Sequence, residues 1–461
     1  MDLQNFIGGA FVPAESQKTF SKLSPFSGEV VARVAHSDAM DVIKALQSAK
    51  KAQPLIREMT RADRAGLLNK MAEYLQAHSD EIAYQEALHQ GLSHHFTLEN
   101  SVKPAIVTLQ KNARAVVAEE LANIVVQPSG LVGIITSWNL SLKLVVERLA
   151  PALAAGNAMI VKVSEHSPIT AKILAEAISF AGVPAGSVNF IQGFSDVAQI
   201  IAGHPSVRAI TFVGKSSSLE SIVKAGTTQC KKMQLAGGAK NSGIALTDTD
   251  YKANIAQILS PFLVGQGQLC WNVTRLFVLE AMAEDFMKTV QEFMSSLKAL
   301  KDPRGAEMWT PLISEKSRQH IDEKVQEGVG EHGKVFSGGK ICAGPGFFYE
   351  PTVMLDLPNC SVLQQDELAG PLLIVTPVKY QHEAVKWTNT SYLGHSAVVW
   401  GPTEKALKVA QQIEAAQVWI NTWMKGEETE SFGFKQSGFG NPDMRWNGSF
   451  YSDVKKLAGS L

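Results

Sequence analysis

One cysteine of this chain lies in a segment whose composition suits a reactive thiol. The residues from Gly265 to Leu269 are two glycines, two glutamines and a leucine, and they lead into Cys270 just before a strand-like run, Val273 to Leu279. Glycine reaches backbone conformations closed to other residues, so a turn here is able to lift the thiol into a pocket. A free cysteine is often only a small buried hydrophobe. Since reactivity depends on surroundings, the segment alone favours a nucleophile only weakly.

An amide side chain follows the strand predicted to begin at Leu131. The residues after this strand are Thr136, Ser137, Trp138 and Asn139. An amide at the carboxyl end of a strand is able to donate a hydrogen bond to a developing oxyanion. Asparagine is also a common helix N-cap, and for this segment taken alone the capping role is the better-supported interpretation.

Three further segments suit the parts of a nucleotide. Lys162, Ser164 and Glu165 end the next strand, where a lysine and a carboxylate are able to grip the two hydroxyls of a ribose, although solvated surface pairs are common. Gly214 and Lys215 stand where a strand gives way to a helix, a place that favours an anion such as a pyrophosphate. No Gly-x-Gly-x-x-Gly fingerprint is present, so this signal is weak. Glu367 is able to hold a second ribose, or it belongs to an ordinary acidic turn.

Length and composition exclude several classes of protein. The chain has 461 residues, which predicts two large domains with or without a small third one. Hydrophobic residues make up 45% and charged residues 19%, as in a soluble enzyme with a large core. A net charge of -1 favours neither nucleic acid nor an anionic membrane. The four cysteines have neither disulfide nor metal-ligand spacing, and no signal peptide or transmembrane helix is seen, so we expect a cytoplasmic protein without a metal.

The elements that must position these residues alternate between helix and strand. Helical spacing predicts helices over 39–53, 60–89, 93–118, 251–263, 281–297, 313–329 and 403–414. Short apolar runs predict strands over 131–136, 158–163, 188–191, 209–213, 233–235, 244–246, 273–279, 397–400 and 418–421. Strands joined by helices pair in parallel, which indicates an α/β protein with a doubly wound sheet. Such sheets bind ligands at the carboxyl ends of their strands.

The order of these segments resembles the aldehyde dehydrogenase superfamily across nearly the whole chain. Further matching blocks are Pro151 to Asn157, Gly182 to Gly186 and Phe432 to Gly438. Within the superfamily, the stretches Trp138 to Leu142 and Gln412 to Asn421 look most like the muconic-semialdehyde branch.

The resemblance implies a fold of three parts. Residues 1–110 and 129–237 would form a Rossmann-like NAD-binding domain, with a parallel sheet. Residues 238–436 would form an α/β catalytic domain around Cys270. Residues 111–128 and 437–461 would form a small β oligomerisation element, and the family's habit is a homodimer or homotetramer.

The resemblance also implies a role for each candidate residue. Cys270 would attack an aldehyde carbon and pass through a thiohemiacetal to a thioester. Asn139 and the backbone N–H of Cys270 would hold the oxyanion, a role worth roughly 3 kcal/mol. Lys162 and Glu165 would bind the adenosine ribose, and the carboxylate would favour NAD over NADP, although NADP stays possible.

The other cofactor contacts follow in the same way. Glu367 would hold the nicotinamide ribose, and Trp138 would line the cofactor site. Thr136, Ser137, Ser164, Gly214 and Lys215 belong to the segments that surround the cofactor, and we expect them to contribute to its binding.

One departure from the family bears directly on the reaction. The family carries Glu-Leu-Gly-Gly-Lys where this chain has Ala236-Gly237-Gly238-Ala239-Lys240, so Ala236 replaces the glutamate that activates water for thioester hydrolysis. General-base help is typically worth about 10²–10⁴-fold. Methylmalonate-semialdehyde dehydrogenases also read Gly-Ala-Lys-Asn here and pass the acyl group to coenzyme A. Three alternatives stay open: slow hydrolysis with Gln234 orienting a water, acyl transfer to coenzyme A, and a catalytically impaired protein.

The substrate is less well defined by the sequence. Glu427, Glu428 and Glu430 stand where the muconic-semialdehyde branch has arginines, so a dicarboxylic substrate is not implied. These acids form either a solvated loop, the better-supported interpretation, or a mouth for cationic or neutral aldehydes. Large apolar residues near the expected tunnel hint at a hydrophobic or aromatic aldehyde, but are equally often plain core: Leu142, Val145, Trp271 and Trp423.

Overall fold

A computed structural model describes residues 1–118, 124–425, 432–440 and 449–457 of the chain. The strands up to residue 236 are β1 (Asp2–Leu3), β2 (Asn5–Ile7), β3 (Ala10–Val12), β4 (Thr19–Leu23), β5 (Val30–Ala35), β6 (Ile124–Pro128), β7 (Leu131–Ile135), β8 (Ala158–Lys162), β9 (Val188–Phe190), β10 (Val207–Val213) and β11 (Lys232–Ala236). The helices of this part are α1 (Ala39–Glu58), α2 (Arg61–Ala77), α3 (Ser79–Gln90), α4 (His94–Thr97), α5 (Lys103–Ala118), α6 (Ser141–Ala154), α7 (Ile169–Ala181), α8 (Ser195–Gly203) and α9 (Ser216–Gly226).

The remaining part continues the alternation. Its strands are β12 (Asn241–Ala245), β13 (Val273–Leu279), β14 (Lys334–Ser337), β15 (Thr352–Leu355), β16 (Leu372–Val378), β17 (Leu393–Gly394), β18 (Ser396–Trp400), β19 (Gln417–Ile420), β20 (Phe434–Lys435), β21 (Gly438–Phe439) and β22 (Ser452–Lys456). Its helices are α10 (Tyr251–Leu263), α11 (Glu280–Ser296), α12 (Glu315–Gly330), α13 (Val362–Gln365), α14 (Gln381–Asn389) and α15 (Thr403–Ala410).

Two large parallel sheets form the centre of the molecule, which confirms the predicted α/β class. The first has the order β21-β11-β10-β7-β8-β9-β2-β3, and its five middle strands are parallel. The second has the order β14-β15-β16-β13-β12-β18-β19, parallel except at β14. Helices cover the sheets, and the strands are buried apolar runs, as expected when both faces are packed.

The structure corrects several predicted boundaries. The helix expected over 60–89 is interrupted at His78, whose backbone leaves the helical region (φ -111°, ψ 16°). The pattern over 93–118 contains a π-helix, Leu98–Val102, between α4 and α5. The apolar spacing continues through both irregularities, so periodicity alone does not reveal them. Strand β16 was not predicted, and it contains Pro377, a residue disfavoured in central strands.

Smaller sheets complete the fold. Strands β1, β5 and β4 form one, β17 and β20 pair as another, and β22 pairs antiparallel with β6. The strand-like tail expected near the end of the chain is thus β22. Among the described residues, no helix is long and apolar enough to cross a membrane. The boundaries of the three predicted domains stay a prediction.

Candidate active site

The turn before Cys270 has an unusual backbone. Gly265, Gln266 and Gly267 all adopt left-handed conformations, with φ of 64°, 54° and 65°. A side chain at Gly267 would collide with the carbonyl oxygen of Gly370, so glycine is required there by space as well as by φ. The sequence expectation of a glycine-dependent turn ahead of the cysteine is therefore confirmed.

Two asparagines that the sequence analysis did not single out hold this turn. Asn272 accepts from the N–H of Leu269 at 2.5 Å and donates to the carbonyl of Val264 at 2.9 Å. Asn241, at the start of β12, donates to the carbonyl oxygens of Cys270 at 2.7 Å and Asn272 at 2.9 Å. The backbone of the cysteine is thus fixed to β12, an interior strand of the second sheet. An asparagine two residues after the cysteine was the available sequence signal.

Asn139 is positioned by the start of α6. The next residue, Leu140, has a left-handed backbone (φ 54°), and its N–H donates to Oε1 of Gln90 at 3.0 Å. The N–H of Leu142 donates to Oε1 of the buried Glu86 at 3.0 Å. A carboxylate at a helix N-terminus is favoured by the helix dipole and satisfies N–H groups that have no partner within the helix. Helix α3 therefore determines where the Asn139 amide lies.

Cys270 and Asn139 line the same cleft. The amide nitrogen of Asn139 donates to the carbonyl of Gln268, two residues before the cysteine, at 2.8 Å. Of the predicted site residues, seven line this cleft: Ser137, Trp138, Asn139, Gly214, Lys215, Cys270 and Glu367. Residues far apart in the chain are thus brought to one place by the facing ends of the two sheets.

Four predicted cofactor residues lie outside the wall of the cleft. Thr136 is buried at the end of β7, and its hydroxyl has no hydrogen-bond partner within the described part of the chain. Lys162, Ser164 and Glu165 form a polar edge after β8, where Lys162 Nζ lies 3.0 Å from Glu165 Oε2 and Ser164 Oγ lies 3.4 Å from it. Burial raises the pKa of the Glu165 carboxyl, but Lys162, His166 and the hydrogen bonds to the carboxylate together outweigh burial and lower the pKa.

The thiol of Cys270 is protonated at neutral pH in this form of the protein. Burial in the wall of the cleft raises its pKa to about 12. The nearby Lys143 cation lowers the pKa, and the carboxylate of Glu147 raises it further. The other cysteines, Cys230, Cys342 and Cys360, do not line the cleft. Burial therefore disfavours the thiolate that a nucleophile needs.

The N-terminus of α9 already binds an anion. The carboxylate of Glu367 accepts the N–H of Ser216 at 3.2 Å, beside Lys215. Burial raises the pKa of Glu367, whereas this hydrogen bond and the Lys215 cation lower it. The Gly214–Lys215 segment thus leads into a helix terminus that accepts a carboxylate, and Glu367 occupies that terminus in this conformation.

The position at which the sequence analysis predicts the loss of a glutamate is apolar. Ala236, at the end of β11, is buried and packs with Leu144, Val213 and Phe432. The hypothesis that Gln234 orients a water is not supported by its position. It is fully buried, outside the wall of the cleft, and its Oε1 accepts from the hydroxyls of Thr211 (3.2 Å) and Tyr451 (3.4 Å).

The four apolar residues expected near a substrate tunnel pack in two different core clusters. Leu142 and Val145 are fully buried in the core of the first sheet, as the alternative interpretation of plain core residues expects. Trp271 and Trp423 pack in the second core cluster, and the indole N–H of Trp423 donates to the carbonyl of Trp271 at 3.0 Å.

Charged residues that the sequence analysis missed lie on α6, namely Lys143, Glu147 and Arg148. Lys143 Nζ lies over the ring of Trp271, 4.6 Å from its centroid. The sequence signal for these residues was the presence of three charges within the otherwise apolar segment that forms α6. The acids Glu427, Glu428 and Glu430 lie outside the described residues. Within the described ranges, no group of three or more His, Cys, Asp or Glu residues could hold a metal ion.

Comparison with known proteins extends these observations. The sequence model described as "Aldehyde dehydrogenase family" matches residues 11–457. A 2-hydroxymuconic semialdehyde dehydrogenase from Pseudomonas sp. (strain CF600) is 31% identical, and the match covers 100% of both chains. The predicted family is therefore confirmed, and muconic-semialdehyde dehydrogenases are among the relatives.

Solved structures agree with this relationship. An NAD-dependent aldehyde dehydrogenase from Sinorhizobium meliloti superposes with a TM-score of 0.93 at 28% identity, over 99% of this chain and 94% of the other. The NAD+ complex of an aldehyde dehydrogenase from Bacillus cereus gives a TM-score of 0.92 at 27% identity, over 99% and 96% of the two chains.

Proposed function

Since this chain belongs to the aldehyde dehydrogenase family, we propose that it oxidises an aldehyde with NAD(P) through a covalent intermediate on Cys270. The observation that carries the proposal is the meeting of Cys270 and Asn139 in one cleft. The thiol comes from the turn before β13 and the amide from the turn after β7, so each sheet supplies one group. A nucleophile beside a preformed amide donor suits attack on a carbonyl carbon.

The residues present fit a dinucleotide. The N-terminus of α9 binds a carboxylate in this structure, which supports its ability to bind a pyrophosphate once Glu367 moves away. Lys162 and Glu165 lie at the end of β8, the strand next to β7. Their charged groups are 3.0 Å apart, and a cation beside a carboxylate suits the hydroxyls of a ribose. The negative charge of Glu165 would repel a 2′-phosphate at this edge, so NAD is favoured over NADP. When bound, the nicotinamide supplies the hydride acceptor.

Within this chain, three groups would act in turn. The Cys270 sulfur attacks the aldehyde carbon, and the carbonyl oxygen gains negative charge. The Asn139 amide and the Cys270 backbone N–H then donate to that oxygen, which requires Asn139 to leave the carbonyl of Gln268. After oxidation the acyl group remains on Cys270 as a thioester.

A second candidate function concerns the fate of that thioester. Ala236 leaves no carboxylate on β11, and its neighbours are apolar. Transfer of the acyl group to coenzyme A would need no water-activating base. The presence of both Cys270 and Asn139 favours either catalytic function over an impaired protein.

The proposal is tested by stopped-flow measurement of NADH formation with a panel of aldehydes. We expect a burst of about one NADH per active site followed by a slow phase, because hydride transfer is intact and thioester hydrolysis lacks the usual base. Ala236→Glu should speed the slow phase by about tenfold or more without changing the burst amplitude.

Ala236→Gln is the matched control, since it adds similar bulk without a base. If it accelerates the slow phase as much as Ala236→Glu, the effect is one of packing. Added coenzyme A should accelerate the slow phase of the wild type only if the second candidate is correct. The absence of a burst in every variant, despite measurable NAD binding, would contradict the oxidation of aldehydes.

The proposal also includes an element for subunit assembly and a cellular location. We propose that β22 and β6 serve as an oligomerisation element, because Val454 and Leu457 expose 67% and 62% of their surface there. A homodimer or homotetramer would cover such residues. Four free cysteines fit a reducing, cytoplasmic environment.

A further inference from the structure

Helix α6 carries three charged side chains close to the cleft. Every residue of this helix is buried except Glu147. The side chains of Lys143 and Arg148 expose only 5% and 1% of their surface, and that of Glu147 exposes 19%. Burying charged groups is unfavourable unless they are paired, so the way in which these three charges pair is informative.

Glu147 lies at the centre of this cluster. Its Oε1 is 3.6 Å from Lys143 Nζ, and its Oε2 is 3.2 Å from Nη1 of Arg148. Each carboxylate oxygen therefore faces one cation, which fixes the direction of the side chain. Because Glu147 alone on α6 retains solvent access, water is able to reach it.

Helix α6 contacts both the residue after the nucleophile and the position of Ala236. Lys143 packs on the ring of Trp271, the residue after Cys270. Leu144 packs against Ala236. Residues three and four apart share one face of a helix, so Glu147 lies one turn further along the face formed by these two contacts. Its negative charge is felt at the Cys270 thiol, whose pKa it raises.

We propose that Glu147 accepts the proton of the water that hydrolyses the acyl group on Cys270, in place of the carboxylate absent at Ala236. This inference rests on the proposed function, because it concerns the acyl enzyme that the oxidation leaves behind. Lys143 acts as a positioning residue that holds the carboxylate towards Trp271.

The step balances with water as the co-reactant. The water oxygen forms a bond to the thioester carbon while Glu147 takes the proton. The tetrahedral intermediate collapses, the carbon–sulfur bond breaks, and Cys270 leaves as a thiolate. The acyl group departs as a carboxylic acid, and the proton passes from Glu147 to solvent.

The test uses an acyl enzyme that needs neither an aldehyde nor a cofactor. p-Nitrophenyl acetate acylates the full-length protein with release of p-nitrophenol, and Cys270→Ser identifies the loaded thiol. Intact-protein mass spectrometry then follows the lifetime of the acetyl group. Glu147→Gln should lengthen that lifetime by about 10²-fold or more, the usual size of general-base help.

The control is Glu176→Gln on α7. Glu176 likewise forms an i,i+4 pair with a lysine, Lys172, and exposes 35% of its side chain, but its other partner is the hydroxyl of Tyr74 on α2 rather than a group beside Cys270. This variant should leave the acetyl lifetime unchanged. In the Ala236→Glu background, Glu147→Gln should have little further effect on the acetyl lifetime, whereas a merely structural role of Glu147 would slow deacylation in both backgrounds.

Stopped-flow kinetics separate this inference from the proposed function. Glu147→Gln should retain the NADH burst and lose only the slow phase. An unchanged acetyl lifetime, or an equal loss of burst and slow phase, would overturn the role of Glu147 while leaving aldehyde oxidation standing. If Cys270 never accepts an acetyl group and no aldehyde gives a burst, the proposed function fails, and this inference fails with it.

Discussion

At Asn139 the hydrogen bond seen in the structure differs from the one that the proposed reaction needs. The amide donates to the carbonyl of Gln268, although it lies beside the thiol that it would assist. A ligand carbonyl oxygen with developing negative charge is a better acceptor than a neutral backbone carbonyl. The carbonyl of Gln268 therefore holds the amide in place until the oxygen of a substrate replaces it as the acceptor.

Replacing Asn139 by alanine tests this role. We expect kcat to fall by about 10²–10³-fold, because one donor to the oxyanion is lost. Binding of NAD should change little, since the cofactor contacts proposed above lie on other residues. Presteady-state NADH bursts and NAD titrations measure the two effects. A loss of NAD affinity with unchanged burst rate would assign Asn139 to the cofactor instead.

At the scale of the element, α6 connects most of the site. Its N-terminus follows Asn139, its middle carries Lys143 and Glu147, and its apolar face packs into the core. The start of the helix depends on Glu86 of α3, whose carboxylate also accepts from the hydroxyls of Ser101 at 2.8 Å and Thr170 at 2.7 Å. Burial raises the pKa of Glu86, which these hydrogen bonds partly offset.

Glu86→Ala is expected to damage stability and activity together. Three buried donors lose their acceptor, which should lower the free energy of unfolding by about 1–3 kcal/mol or more. Because Leu142 then loses its anchor, Asn139 should shift and kcat should fall. Urea unfolding and burst kinetics provide the measurements.

The matched control is Glu81→Ala on the same helix. Glu81 is exposed, and the hydrogen bond it accepts comes from Gln85 at 2.8 Å. This change should alter neither stability nor kcat appreciably. If Glu86→Ala behaves in the same way, the start of α6 does not depend on the buried carboxylate.

At the scale of the whole molecule, buried histidines make stability depend on pH. His395 is buried against the ring of Trp271, and neither ring nitrogen has a hydrogen-bond partner in the described part of the chain. Burial lowers its pKa from 6.5 to about 4. The unfolded chain therefore binds a proton between these values and the folded protein does not, so stability falls as the pH drops from 6.5 towards 4.

His395→Leu should reduce this acid sensitivity. The histidine contributes on the order of 3 kcal/mol to the loss of stability across the window. Unfolding free energies at pH 7 and at pH values down to about 4 measure the slope, which should be shallower in the variant. His382→Leu is the control, since His382 is exposed. Equal slopes for His395→Leu and the wild type would contradict the assignment.

The same whole-molecule arrangement explains which parts of the site were predictable. The order of strands and helices, the glycine turn before Cys270 and the polar strand ends depend on local spacing and residue type, so they are visible in the sequence. The break at His78 and the π-helix at Leu98–Val102 are not, because the apolar period runs through them. Strand β16 was hidden by Pro377 and by its place beyond a long loop.

By itself, the sequence determined the α/β class and the family, and it predicted the nucleophile and the absence of a carboxylate at Ala236. Only the tertiary structure decided where side chains point and what surrounds them. It bound Glu367 to the terminus of α9, enclosed Gln234 away from the cleft, and placed Glu147 one helical turn beyond the contact of α6 with Ala236. Local sequence patterns determine where helices and strands form. The pKa of a side chain and the groups it contacts depend on residues that are distant in the chain and meet only when the two sheets pack together.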